Sequence, residues 1–135
     1  IRVFAAGGKR TAELRTLALG AFSAARQAGN PAAAAAARAA GLAASSAYTH
    51  PLVEVDQTKH IVGPAAYAAM AIEIDQGGNS KSGDHVVLWA VESVPAEVRD
   101  VLLHMPGRQP GKSRLDRLMY DLDTGIRNTK FSQDA

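Results

Sequence analysis

Residues 22–48 read FSAARQAGNPAAAAAARAAGLAASSAY, about half alanine and interrupted once, at Gly29-Asn30-Pro31. Alanine is the strongest helix former, so the stretch predicts two helices joined by a tight turn. In that turn Gly29 is expected to end the first helix in a left-handed conformation. Asn30 is suited to cap the second, and Pro31 to occupy its first position, where a missing N–H costs nothing. Helices with so little side-chain bulk can approach to roughly 8 Å between axes. The alanine-rich hairpin is therefore a scaffold, and function is expected from whatever its outer faces meet.

Working outward, Thr11 is placed to cap a first helix running to Ala28, with Leu14, Leu17, Ala18, Ala21, Phe22 and Ala25 as its buried stripe. The second helix, Pro31 to about Tyr48, carries one charge, Arg38, and is expected to be central. His50-Pro51 breaks it, and the alternation from Leu52 to Asp56 is too short to define a sheet. A third helix starts at Lys59 or Pro64 and runs to Ile74, with Tyr67, Met70 and Ile74 on one face. Gly77 to Gly83 (GGNSKSG) reads as a loop, with Asp84 as N-cap of a fourth helix bearing Val87, Leu88, Trp89 and Val91. Trp89 is assigned to the core, with a hot spot for a partner as the alternative. Pro95 opens a fifth helix, Val98 to Met105.

The C-terminal helix is the most strongly specified. Ser113 caps it, Asp116 stands in for the Glu or Gln of a capping box, and Leu115, Leu118, Met119, Leu122 and Ile126 form one stripe. Gly125 is expected to end it, with Arg114, Arg117 and Asp121 on the outer face. The result is an all-α fold: a compact bundle of about five or six helices around an alanine-rich central hairpin. The 135 residues fit a single helical domain. The chain opens without methionine amid Ile1, Val3 and Phe4, so the native N-terminus is expected to lie further upstream.

Composition narrows function mainly by exclusion. Hydrophobic residues make up 47% and charged ones 21%, as in a globular chain, and only 5% are aromatic, leaving Ala, Leu, Val and Ile to build the core. Without cysteine there is no disulfide framework or thiol chemistry. No uncharged run nears the roughly 20 residues of a membrane span, and no signal peptide is evident. Residues 1–60 carry seven Lys/Arg against three acids, but these cations are scattered rather than clustered, so nucleic acid is an unfavoured partner.

Catalytic patterns fail one by one. The histidines, His50, His60, His85 and His104, show no metal-ligand spacing. Gly7-Gly8-Lys9-Arg10-Thr11 lacks the spacing of a phosphate loop, and Ser45-Ser46 sit in an alanine helix with no nucleophile elbow. The pairs Glu54/Asp56, Glu73/Asp75 and Asp121/Asp123 are two apart, and on a helix such residues diverge. No catalytic residue, cofactor or metal is assigned, and an enzyme is disfavoured.

Several segments carry a family resemblance. An alanine-rich run (Ala24 to Arg26, Pro31 to Ala40) is followed by Thr49-His50, by GPAAYA at Gly63 to Ala68, and by LWAVESVPAEVRDVLL at Leu88 to Leu103. Over residues 14–105 the chain resembles the Imm-5-like family of bacterial immunity proteins. This resemblance implies a cytoplasmic protein that binds a cognate toxin C-terminal domain and neutralises it by stoichiometric occlusion, as in contact-dependent growth inhibition or related bacterial competition. The alternative reading of the residues is a small basic helical adaptor or nucleic-acid-associated protein, which needs Arg2, Lys9, Arg10, Arg15, Arg26 and Arg38 on one face. Because packing consumes most helical surface, loop-borne polar residues are the candidates for partner binding. Tyr48, His50, Glu54, Asp56, Lys59 and His60 form the densest group, and Arg117, Tyr120 and Asp121 a second.

Overall fold

The computed structural model describes residues 2–48 and 55–130, and among these it is helical, with no strand. Seven α-helices follow in order: α1 (Arg2–Ala5), α2 (Ala12–Gln27), α3 (Pro31–Ser45), α4 (Lys59–Asp75), α5 (Ser80–Ser93), α6 (Ala96–Leu103) and α7 (Arg114–Asn128). Two 3₁₀ turns, Ser46–Tyr48 and Val55–Thr58, flank residues 49–54. Most of the alternation from Leu52 to Asp56 falls outside the described residues, and Val55 and Asp56 lie in the second 3₁₀ turn.

The alanine-rich hairpin forms as its caps dictate. The Thr11 hydroxyl accepts from the Leu14 N–H at 3.1 Å, and the Asn30 carboxamide oxygen accepts from the N–H groups of Ala32 (2.8 Å) and Ala33 (3.2 Å). Gly29 departs from expectation. Among the described residues those with positive φ are Gly7, Gly77 and Gly78, and α2 instead ends at Ala28 in extended backbone (φ −66°, ψ 125°). An extended pair leading straight into a capped Pro31 turns the chain without a left-handed residue. Since Asn30 satisfies two of the orphan donors of α3, Asn30→Ala is expected to cost about 1 kcal/mol, a fall of roughly 3–5 °C in Tm by thermal denaturation.

Glycines set the close approaches. A Cβ at Gly41 would lie 2.9 Å from the Phe22 ring, and one at Gly63 would lie 2.7 Å from Leu42 Cδ1. Hydrogen at these positions lets α3 lie against α2 on one side and α4 on the other. The helix α4 begins at Lys59 and runs through Pro64, which withholds one N–H from its ladder.

The core, however, is centred on α4 and α7 rather than on α3. Val62, Ala66 and Ala69 of α4, Leu102 of α6, and Leu118 and Leu122 of α7 are fully buried, and Met119 and Ile126 nearly so. On α3 only Ala35, Gly41 and Leu42 are buried, while Ala33, Ala36 and Ala40 face outward. Alanine propagates helix whether or not it is covered, so an all-round apolar count overstates how central α3 is.

Other expectations need correcting. Leu17 is 61% exposed rather than part of the buried stripe, and Trp89 is 66% exposed rather than core. On α5 the side facing α4 and α7 carries Val86, Val87, Ala90 and Val91, which leaves Trp89 outside. That helix starts at Ser80, with Asn79 accepting from the Lys81 N–H at 3.2 Å, so the loop is shorter than GGNSKSG and Asp84 is not its cap. Asn79 follows two left-handed glycines and is the first side chain able to cap. The fifth helix is likewise displaced toward Pro95, spanning Ala96–Leu103.

In α7 the capping box forms as expected. Ser113 Oγ accepts from the Asp116 N–H (3.0 Å), and the Asp116 carboxylate accepts from the Ser113 hydroxyl (2.7 Å) and N–H (3.4 Å). These bonds, the hydroxyl first, hold the Asp116 carboxyl below the ordinary carboxylate range. The stabilisation is therefore present above that range and fades as acid protonates the group. The helix does not stop at Gly125. It continues to Asn128, because Gly125 is a contact point where a Cβ would meet Val91 Cγ2 at 2.8 Å.

Candidate functional site

Four of the candidate residues, Tyr48, Asp56, Lys59 and His60, lie on the turn that ends α3 and at the start of α4. Tyr48 closes the 3₁₀ turn after α3, and its hydroxyl donates to the Thr11 carbonyl at 2.6 Å. The Arg10 guanidinium lies 5.6 Å from the centroid of the Tyr48 ring and donates to the Ala47 carbonyl at 3.5 Å. Tyr48 thus ties the end of α3 to the start of α2, and one of the six cations an adaptor would need on a common face is already engaged there.

Asp56 and Lys59 are exposed and His60 is half-buried, on the second 3₁₀ turn and the first turn of α4. His50 and Glu54 lie outside the described residues. A polar network fixes where this turn sits. Thr58, fully buried, accepts from Arg108 Nη1 at 2.9 Å, while the Arg108 N–H donates to Asp123 Oδ2 at 3.2 Å. Asp123, only 2% exposed, pairs with Arg127 (Nε to Oδ2, 2.8 Å), whose guanidinium also donates to the Met105 and Pro106 carbonyls. A buried carboxylate on α7 thereby organises the α6–α7 connection, which in turn holds the start of α4.

A second clasp joins α4, α5 and α7. Arg114 donates from Nε to both Glu73 oxygens (3.1 and 3.0 Å) and from Nη2 to Glu73 Oε2 (2.9 Å), the Ser80 carbonyl (3.0 Å) and Asp84 Oδ1 (2.7 Å). Arg114 is therefore not a free outer-face residue. Its pKa is raised above the ordinary arginine value, principally by the Glu73 hydrogen bond. It lies at the first position of the helix, where an outward-facing assignment from periodicity misses what the neighbouring helices present.

A cleft of about 470 Å3 is lined by Phe22 of α2, Arg38, Leu42 and Ser45 of α3, Lys59, His60 and Tyr67 of α4, and Met119 of α7. Two of the sequence candidates, Lys59 and His60, line it. Arg117, Tyr120 and Asp121 do not, although Met119 brings their helix to its wall. Arg117 is exposed and donates to the Lys112 carbonyl at 2.9 Å, Asp121 is exposed, and Tyr120 is half-buried. The lining residues outside the sequence candidates are Phe22, Arg38, Leu42, Ser45, Tyr67 and Met119. Arg38 alone left a signal, as the single charge on an otherwise apolar helix.

Among known families, the one described as "Imm-5 like putative immunity protein" matches residues 1–97. The chain belongs to the Imm-5-like family. No curated protein and no solved structure matches it. The matched part spans α1 to α5 and reaches the first residues of α6. In this Imm-5-like protein α7 lies outside that part, yet supplies Leu118, Met119, Leu122 and Ile126 to the core and Met119 to the cleft. None of its described helices is long and apolar enough to cross a membrane.

Proposed function

We propose that this chain is the immunity partner of a bacterial toxin: it binds a cognate toxin C-terminal domain one-to-one in the cytoplasm and blocks it by occlusion, without turnover. The observation that carries this reading is the family match across residues 1–97. The architecture supports it physically. Two charged clasps and a packed α4–α7 core hold the candidate surface on a preorganised frame, and preorganisation reduces the ordering cost of association. With few aromatic side chains, binding energy must concentrate in a few anchors, as interface hot spots generally do. Contact-dependent growth inhibition or a related competition system is the setting that fits.

The test is neutralisation in cells. The toxin domain encoded beside this chain is expressed with and without it, and growth and co-purification are measured. Rescue of growth together with a one-to-one complex is the expected result. Arrested growth in the presence of the folded full-length chain overturns the pairing.

A further inference from the structure

We propose that the cleft between α2, α3, α4 and α7 is the anchor site for the toxin, and that its occupant is an apolar side chain flanked by a carboxylate, presented by an acidic-hydrophobic segment of the partner. This inference rests on the immunity reading and deepens it.

The chemistry of the walls carries the argument. Phe22, Leu42, Tyr67 and Met119 provide an apolar floor, and Arg38, Lys59 and His60 bring basic side chains to it from two different helices. None of the described lining residues is acidic. Arg38 and Lys59 are both exposed, and among the described residues neither side chain forms a hydrogen bond or an ion pair. Arg114 and Arg127, by contrast, are paired with carboxylates. Arg38 is also the single charge on α3.

An apolar hollow flanked by two uncommitted cations is complementary to an anionic amphiphilic group and repels a basic one. The positive end of α4, whose first turn contributes Lys59 and His60, adds to the same field. The volume falls in the range of about 300–1,000 Å3 typical of ligand clefts, which suits one or two large side chains. Aromatic side chains each bury about 150–250 Å2, so one seated here would be a principal anchor.

The experiment measures affinity for the toxin domain encoded beside this chain, by calorimetry or surface kinetics at physiological salt. The double variant R38E/K59E is expected to weaken binding at least a hundredfold. Ser45→Trp, which fills the floor without changing charge, is expected to weaken it at least tenfold. The control K81E/K130E makes the same change in net charge on α5 and beyond α7, away from the cleft lining, and is expected to stay within about threefold of the parent. Thermal melts of all the variants should match the parent, since every altered residue is at the surface or half-buried. If the parent chain does not bind the toxin domain, the immunity reading fails and this inference with it. If the parent binds and either cleft variant keeps its affinity within threefold, only the cleft assignment is overturned. Equal losses for K81E/K130E and R38E/K59E would mean general electrostatic steering and would overturn it as well.

Discussion

Leu122→Ala is expected to lower the unfolding free energy by about 3–4 kcal/mol, among the largest single-residue losses in this chain. Leu122 is fully buried within the cluster that also holds Val62, Ala66, Leu102 and Leu118. Removing its branched end deletes buried apolar surface and leaves a cavity that packed helices close only in part. With a urea m-value of about 1–3 kcal/mol/M, the midpoint should fall by roughly 1–4 M. The position gives the experiment a structural meaning. Leu122 lies beyond residues 1–97, which carry the family match, on a helix that packs against α4 and α5. If α7 were an appendage to a self-sufficient unit, the substitution would cost under 1 kcal/mol, and that outcome would refute a core shared between α4 and α7.

The second large effect is expected at Arg114. Arg114→Leu should cost about 3 kcal/mol, because it leaves the Glu73 carboxylate, 7% exposed, without its bidentate partner. Deleting one member of a buried ion pair costs about 3–5 kcal/mol, and the lower end applies here since the Arg114 side chain retains 23% exposure. The double variant Glu73→Leu/Arg114→Leu separates the cause. Replacing both partners with apolar groups removes the stranded charge, so stability should return to within about 1–2 kcal/mol of the parent. Chemical denaturation of the parent, the single and the double variant checks this. A double variant as unstable as Arg114→Leu would show that the loss comes from packing by the arginine stem instead.

How much was legible in the sequence differs with the kind of information each element carries. The alanine-rich hairpin, the caps at Thr11, Asn30 and Ser113, and the stripe Leu118, Met119, Leu122, Ile126 are local signals, and they form as read. Helix boundaries set by competing caps were less legible: Asn79, rather than Asp84, starts α5 because it is the first competent side chain after the left-handed glycines. Gly125 shows the opposite failure. Next to a polar C-terminus a glycine reads as a stop, but here it admits Val91 and the helix runs on. Of the candidate binding residues, Lys59 and His60 come together with Arg38 from another helix, and no spacing in the sequence links 38 to 59.

The sequence by itself determined the all-helical class, the tight α2–α3 turn and the capped amphipathic α7, because backbone propensity, capping bonds and the 3.6-residue period act within a few residues of one another. Only the tertiary structure decided that α4 and α7 make the core, that Trp89 faces outward, that Arg114 and Asp123 are structural, and that two cations flank an apolar cleft. Each of these depends on which face of one helix meets which face of another, and that is set by the joint packing of distant segments.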